Sequence, residues 1–261
     1  MSAGLRVAGV DGCPRLADGS GGWIAVIIEP GNAMKAERID RLAELVDRPE
    51  APQIIAVDMP IGLPKRVGPN GRAPERLVRP RLGMRQSSVF SMPSRAAVYA
   101  ALDPRLPDEA ERYRHACSVA RATSEPPRAV SRQAFHIFGK IAEIDGLLRE
   151  RAALAGRIHE CHPEVSFWAM NGETALDLAK KVKNAPHKPG LALRRRLLAA
   201  QGFAEALTSP LQARALKVGE DDLIDACAAA WTARRIAHGQ AIGFPTPAER
   251  DGEGLPIQIQ A

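Results

Sequence analysis

Residues 53–60, Gln53-Ile54-Ile55-Ala56-Val57-Asp58-Met59-Pro60, decide the fold of this chain. The run is apolar, β-branched and too short for a buried helix, and it closes on a Met-Pro step, so it reads as a buried strand. The residues before it set its neighbours. Leu5–Asp11 reads as a first buried strand ending in an Asp11-Gly12 turn, Trp23–Glu29 as a second, and Met34–Ile39 as a third. The second and third are joined through Pro30-Gly31-Asn32, a hairpin-type break. Asp40 is expected to cap a short amphipathic helix, with Leu42, Leu45 and Val46 apolar and Glu44 in its first turn; Pro49 and Pro52 stop it. The order is β-β-β-α-β. The helix makes a crossover, so strand 53–58 runs parallel to a neighbour, most simply the first strand.

Beyond this core, residues 60–95 are rich in Pro, Gly and Arg and read as a long functional loop. Helices are expected at Ser94–Leu102, Pro107–Ala122 and Ser131–Ala155. A fifth short strand follows at Arg157–Cys161, then a helix at Glu164–Met170, a Lys-rich loop, a helix at Leu191–Ala200 and a last helix at Glu220–Ala237. The expected organisation is one domain over residues 1–241, with a helical and loop insertion at about 62–156 between strands four and five, and a Pro-containing tail over 242–261.

Composition narrows the function classes. With 45% apolar and 25% charged residues in 261, the chain is an ordinary globular protein rather than a disordered, collagenous or coiled-coil one. Its most apolar stretch, Trp23–Ile28, is far short of a membrane span. With Arg6 and then Asp11 interrupting the first residues, no signal peptide is expected. Four scattered cysteines (13, 117, 161, 227) without a CxxC pair suggest reduced thiols and a cytoplasmic setting. Eleven aromatic residues are poor material for a base-stacking platform. The net charge of +6 is unevenly spread. Residues 65–95 hold eight basic side chains against Glu75, and residues 180–196 hold seven against none, while the remainder has 21 basic and 29 acidic groups. Such runs are either solvated surface or two cationic arms awaiting a polyanion.

Two carboxylates end two strands: Asp11 in Val-Asp-Gly-Cys, and Asp58 in Ala-Val-Asp-Met-Pro. If those strands are parallel neighbours, the carboxylates emerge at one edge about 5 Å apart. They repel unless one protonates or a cation, such as a divalent metal, sits between them. A His159-Glu160-Cys161-His162-Pro163-Glu164 cluster suggests zinc, but strand alternation turns His159 and Cys161 away from Glu160 and His162. Glu160 is therefore the better acidic candidate there. Glu164 suits the first turn of a helix at least as well as a metal. On the last helix, Asp225 lies on an arc between Asp221 and Asp222, with Ala226, Ala229 and Ala230 small enough to let the helix lie against a sheet. Ser87, Ser88 and Ser131-x-Gln133 offer neutral donors for phosphate or sugar; Ser131 serves equally as an N-cap.

The ordered motifs resemble the domain of unknown function 429 family, described as RNase H-like nucleases. They include Gly9-Val-Asp11-Gly-Cys with Gly22-Trp23, Ala56-Val-Asp58-Met-Pro-Ile-Gly-Leu-Pro64 and Arg79-x-x-Leu-Gly83 with Ser87-Ser-Val-Phe90. Ser131-x-Gln133, Lys140-Ile-x-Glu-Ile-Asp145, Glu160-x-His-Pro-Glu164, Gly190-Leu-x-x-Arg194 and Asp221-Asp-x-x-Asp-Ala226 continue the series. The chain departs from the family pattern at Glu75 and in the longer segment 12–21. The resemblance implies an α/β RNase H-like fold with a mixed five-stranded sheet in the order 3-2-1-4-5, flanked by helices. It also implies a metal-dependent nuclease that uses Mg²⁺ or Mn²⁺ on DNA or RNA. Asp11, Asp58 and Asp225 are the expected metal ligands, with Asp222 or Glu160 completing a second ion site among the catalytic residues. Arg79, Arg85, Ser87, Ser88, Gln133, Lys183 and Arg194 are the expected substrate contacts. A dimer would suit junction-type substrates. The rival readings are a sugar-kinase-like or actin-like phosphotransferase, for which Asp11-Gly12 and Gly21-Gly22 offer a faint phosphate loop, and a non-catalytic binding module.

Overall fold

Val7–Gly12 (β1) lies at the centre of a five-stranded sheet. The computed structural model describes residues 5–183 and 185–261. Trp23–Ile28 (β2) pairs antiparallel with β1, Asp11 facing Ile24, and Met34–Ile39 (β3) continues the antiparallel ladder on its far side. After the short helix Leu42–Val46 (α1), Ile54–Val57 (β4) runs parallel to β1, with Val10 facing Val57. Then come Ala73–Val78 (α2), Arg95–Ala100 (α3), Glu109–Ala122 (α4), Arg132–His136 (α5) and Phe138–Glu150 (α6). Ile158–Glu160 (β5) pairs parallel with β4. Pro163–Met170 (α7), the small Lys181–Val182 (β6) and Ala185–Pro186 (β7) pair, Lys188–Ala200 (α8), Pro210–Ala215 (α9) and Glu220–Ala237 (α10) follow. Gly243–Arg250 (β8) and Pro256–Gln260 (β9) close the described chain. The strand order is 3-2-1-4-5, as expected, with helices flanking the sheet.

Strand alternation sorts the core into two layers. Ala8, Val10, Trp23, Ile55 and Val57 join the layer beneath α1 and α3–α6. Val7, Ile24, Val26 and Ala56 join the layer that receives α7, α8 and α10. By the same parity, Asp11 and Asp58 belong to the α10 side.

Four local expectations change. Residues 60–95 are not simply a loop: α2 forms with Pro74 in its first turn and Glu75 accepting the Arg72 N–H at 2.7 Å, and two 3-10 segments follow at Arg79–Arg81 and Gly83–Ser88. The helix expected over 131–155 breaks at Ile137, whose N–H closes on Ala134 O (3.2 Å) before α6 begins. Asp40 does not cap α1; its carboxylate accepts the Gly21 N–H, and Glu143 accepts the Leu42 N–H at 2.8 Å. Residues 242–261 are not a loose tail. Phe244 and Ile259 bury against Val78, Val165 and Trp168, Ile257 is buried as well, and Asp251 accepts from Arg95 (2.6 Å) and Leu63 N–H (2.9 Å). The alternation Ile257-Gln258-Ile259-Gln260 carried that signal; Pro245 and Pro247 masked it.

Candidate metal centre

The centre depends on how closely α10 approaches β1. A Cβ placed on Gly9 would lie 1.8 Å from the Ala230 nitrogen and 2.4 Å from the Ala226 oxygen, so only glycine fits there. Ala226, Ala229 and Ala230 supply the matching small face, each fully buried. One turn before Ala229, Asp225 is thereby carried to the C-terminal edge of the sheet, where β1 delivers Asp11 and the residue after β4 delivers Asp58. Ligand oxygens of Asp11, Asp58 and Asp225 lie within 4.8 Å of one another.

This is a strained set of charges. Asp11 is 6% and Asp225 2% exposed. Burial, then the neighbouring Asp58 and Asp225, hold Asp11 well above the usual carboxylate range. Burial likewise pushes Asp58 and Asp225 up to about 7, against the opposing pull of Lys180. Lys180 Nζ forms an ion pair with Asp225 Oδ2. Burial works against the Lys180 charge, but Asp225 and Glu164 outweigh it and raise its pKa. One ammonium does not satisfy three carboxylates: among the described residues, buried Asp225 Oδ1 has no hydrogen-bond partner. An orphaned anionic oxygen beside two further carboxylates suits a cation bound by hard oxygen ligands, so the triad could hold a metal ion. The triad opens into a cavity of about 330 Å³ that Lys180, Lys181, Asp221, Asp222 and His162 also line.

A family model described as "Protein of unknown function (DUF429)" matches residues 9–250, which include the whole triad and Lys180. The chain belongs to this family. No curated protein and no solved structure matches it.

In this DUF429 chain the other expected site residues have diverse fates. Asp222 lines the cavity and accepts a long bond from the Gly219 N–H (3.3 Å), helping to start α10; Asp221 pairs with Lys181. Glu160 also borders the cavity, but it shares its face of the sheet with Ile158, opposite to Asp58, and its oxygens are committed. Arg72 donates to both (2.6 and 3.0 Å), and Ile61 N–H adds a third bond at 2.8 Å. Burial alone would lower the Arg72 guanidinium, but Glu160 and Glu75 hold it above its ordinary value, so the group is a buried ion pair. Arg194, expected at a substrate, is fully buried and forks onto Glu164 (2.6 and 2.8 Å), locking α8 to α7. Ser131 is the N-cap of α5, taking the Ala134 N–H at 3.2 Å, and Gln133 is exposed on that helix. Ser88 reaches the cavity wall, whereas Arg79 and Ser87 line a neighbouring cavity. Arg85 is half-buried, and its backbone oxygen accepts from Ser88 Oγ at 2.8 Å. Lys183 is exposed at the β6–β7 turn.

Sequence reasoning gave no definite role to Arg72, Lys180 or Lys140. Lys140 donates to Gly22 O and sits 4.4 Å from the Trp23 ring, where burial lowers its pKa. For Arg72 the usable signal was Arg-Ala-Pro-Glu, a helix start with an acid three residues on. Lys180 was concealed within a basic run.

Proposed function

We propose that this protein is an RNase H-like, metal-dependent hydrolase of phosphodiester bonds in nucleic acid. The observation that carries this reading is the convergence of Asp11, Asp58 and Asp225 within 4.8 Å at one edge of the sheet, with one buried Asp225 oxygen unpaired among the described residues. Mg²⁺ or Mn²⁺ bound there would supply Lewis-acid activation of water and neutralise charge on the phosphoryl oxygens. Asp11, Asp58 and Asp225 would hold the ion, and Asp222, one turn before Asp225, would be the carboxylate available for a second. Glu160 is spent on Arg72 and instead fixes the cavity wall. Lys180 pairs with Asp225 and would put an ammonium beside a phosphate held at the triad. Exposed cations such as Lys65, Arg66, Lys183 and Arg196 suit the flanking phosphates of a strand. Four buried free cysteines support a reducing, cytoplasmic setting; among the described residues no helix is long and apolar enough to cross a membrane. The phosphotransferase reading loses its phosphate loop, because the Gly21 amide already bonds the Asp40 carboxylate.

The test is incubation of the protein and its Asp11→Asn variant with Mg²⁺ or Mn²⁺ on duplex, hybrid, branched and single-stranded substrates. Cleavage by the parent alone is expected. Cleavage that persists in Asp11→Asn, or a parent that neither cleaves nor binds Mn²⁺, would defeat the proposal.

A further inference from the structure

A second cavity, of about 490 Å³, lies across the wall formed by Val89, Phe90 and Met92, residues that also bound the carboxylate cavity. It sits between the arginine-rich segment and residues 124–131, and among the described residues no acidic side chain lines it. Arg79 and Arg128 both do. Arg79 is held in place by neutral acceptors: Nε donates to Val89 O (3.0 Å), Nη1 to Asn70 O (2.5 Å) and Nη2 to Ser91 Oγ (2.8 Å). The Arg128 backbone N–H bonds Ser124 Oγ at 2.8 Å; among the described residues its guanidinium has neither hydrogen bond nor ion pair. Burial, and secondarily Arg128 itself, lower the Arg79 pKa against the pull of Glu75, an acid already engaged by Arg72. Two guanidinium groups facing one cavity without a carboxylate repel, and a phosphate relieves that repulsion with planar bidentate geometry. The remaining wall has two parts. Ser91, Ser131, Asn70 and Gln86 offer hydrogen bonds, and Phe90, Met92 and Val130 give an apolar floor that a bare phosphate would leave unused. The volume suits a small organic ligand rather than an ion.

We propose that this cavity binds one phosphate-bearing nucleotide unit, its phosphate between Arg79 and Arg128 and its base against the Phe90 side. The phosphodiesterase reading adds only that this unit belongs to the strand whose next phosphate meets Asp11, Asp58 and Asp225; an unpaired nucleotide is then required at that position.

Calorimetric titration in EDTA separates the two ideas, because it needs neither metal nor cleavage. The probes are 5′-AMP, adenosine, inorganic phosphate and a 5′-phosphorylated deoxytrinucleotide, with the full chain and its Arg128→Gln variant. Arg128 is exposed, so the variant keeps its fold. AMP is expected to bind about tenfold tighter than adenosine or phosphate. Arg128→Gln is expected to lose about fivefold for AMP and nothing for adenosine. A trinucleotide about tenfold tighter than AMP supports a strand as the source; equal affinity supports the free nucleotide. Phosphate binding as tightly as AMP, or AMP binding unchanged in Arg128→Gln, overturns the proposal. A protein that binds AMP through Arg128 yet cleaves nothing defeats the nuclease reading alone, and an active nuclease indifferent to Arg128 in AMP binding defeats this site alone.

Discussion

Replacing Gly9 with alanine joins packing and chemistry in one perturbation. The added Cβ meets the Ala230 nitrogen at 1.8 Å, and both partners are backbone, so no rotamer can relieve the clash. Ordinary contact starts near 3.4 Å, so α10 must retreat from β1 by about 1.6 Å. Overpacking of this kind costs about 3 kcal/mol, the upper part of its usual range, and for a chain of this size that lowers Tm by about 6–12 °C. The retreating helix takes Asp225 with it. Two oxygens on one Mg²⁺ stand no more than about 4.2 Å apart, and the triad oxygens lie within 4.8 Å of one another, close to that limit. Opening it further should weaken Mn²⁺ binding at least about tenfold, or about 1.4 kcal/mol. The assay is thermal unfolding beside Mn²⁺ titration by calorimetry, with Gly146→Ala as control. A Cβ on Gly146, within α6, meets nothing within 4 Å, so that variant should gain about 0.5–1 kcal/mol and keep its Mn²⁺ affinity. A Gly9→Ala protein with parental Tm and parental Mn²⁺ affinity would refute the close-approach reasoning.

Lys180→Met should bind Mn²⁺ about tenfold tighter, since the ammonium competes for Asp225; weaker binding in the same titration would show that the lysine supports the ion instead. Mn²⁺ affinity should rise between pH 6 and 8, because protons leave Asp58 and Asp225 at about 7, with proton release visible as buffer-dependent heat. The metal-free fold binds these protons more tightly than the unfolded chain does, so its Tm should fall as pH climbs from about 4 through 7. Saturating Mn²⁺ should flatten that slope, and a Tm that climbs steadily with pH would contradict it. Arg72→Met should cost about 3–5 kcal/mol by leaving Glu160 and Glu75 buried without their cation. Chemical denaturation would register it, and a loss under about 1 kcal/mol would show the pair to be peripheral.

The sheet was legible because its strands announce themselves twice, by apolar runs and by the crossover that forces β4 alongside β1. Asp11 and Asp58 were legible for the same reason, since acids that end parallel neighbours must meet, and Asp225 was legible from the small residues behind it on α10. Glu160 was harder, although parity was readable. Ile158 points to the layer under α6, so Glu160 does as well, and its partner Arg72 lies far off in sequence. The charge runs misled most. Arg72, Arg95, Lys180, Lys181, Arg194 and Arg195 all carry acidic partners, so local counting overstated the free positive surface. Pairing across the fold is invisible to a count along the chain.

The embrace of β1 by α10 has a kinetic side. Its two partners come from opposite ends of the described chain, with a sheet edge, a helical insertion and the β6–β7 pair between them. Such a contact is a costly loop closure, formed late rather than early. During synthesis, Asp11 and Asp58 would be in place long before Asp225 is made, so no early intermediate can offer the full oxygen set. Ion capture would then mark completed folding, and the rate at which Mn²⁺ binding returns during refolding would time the docking of one helix.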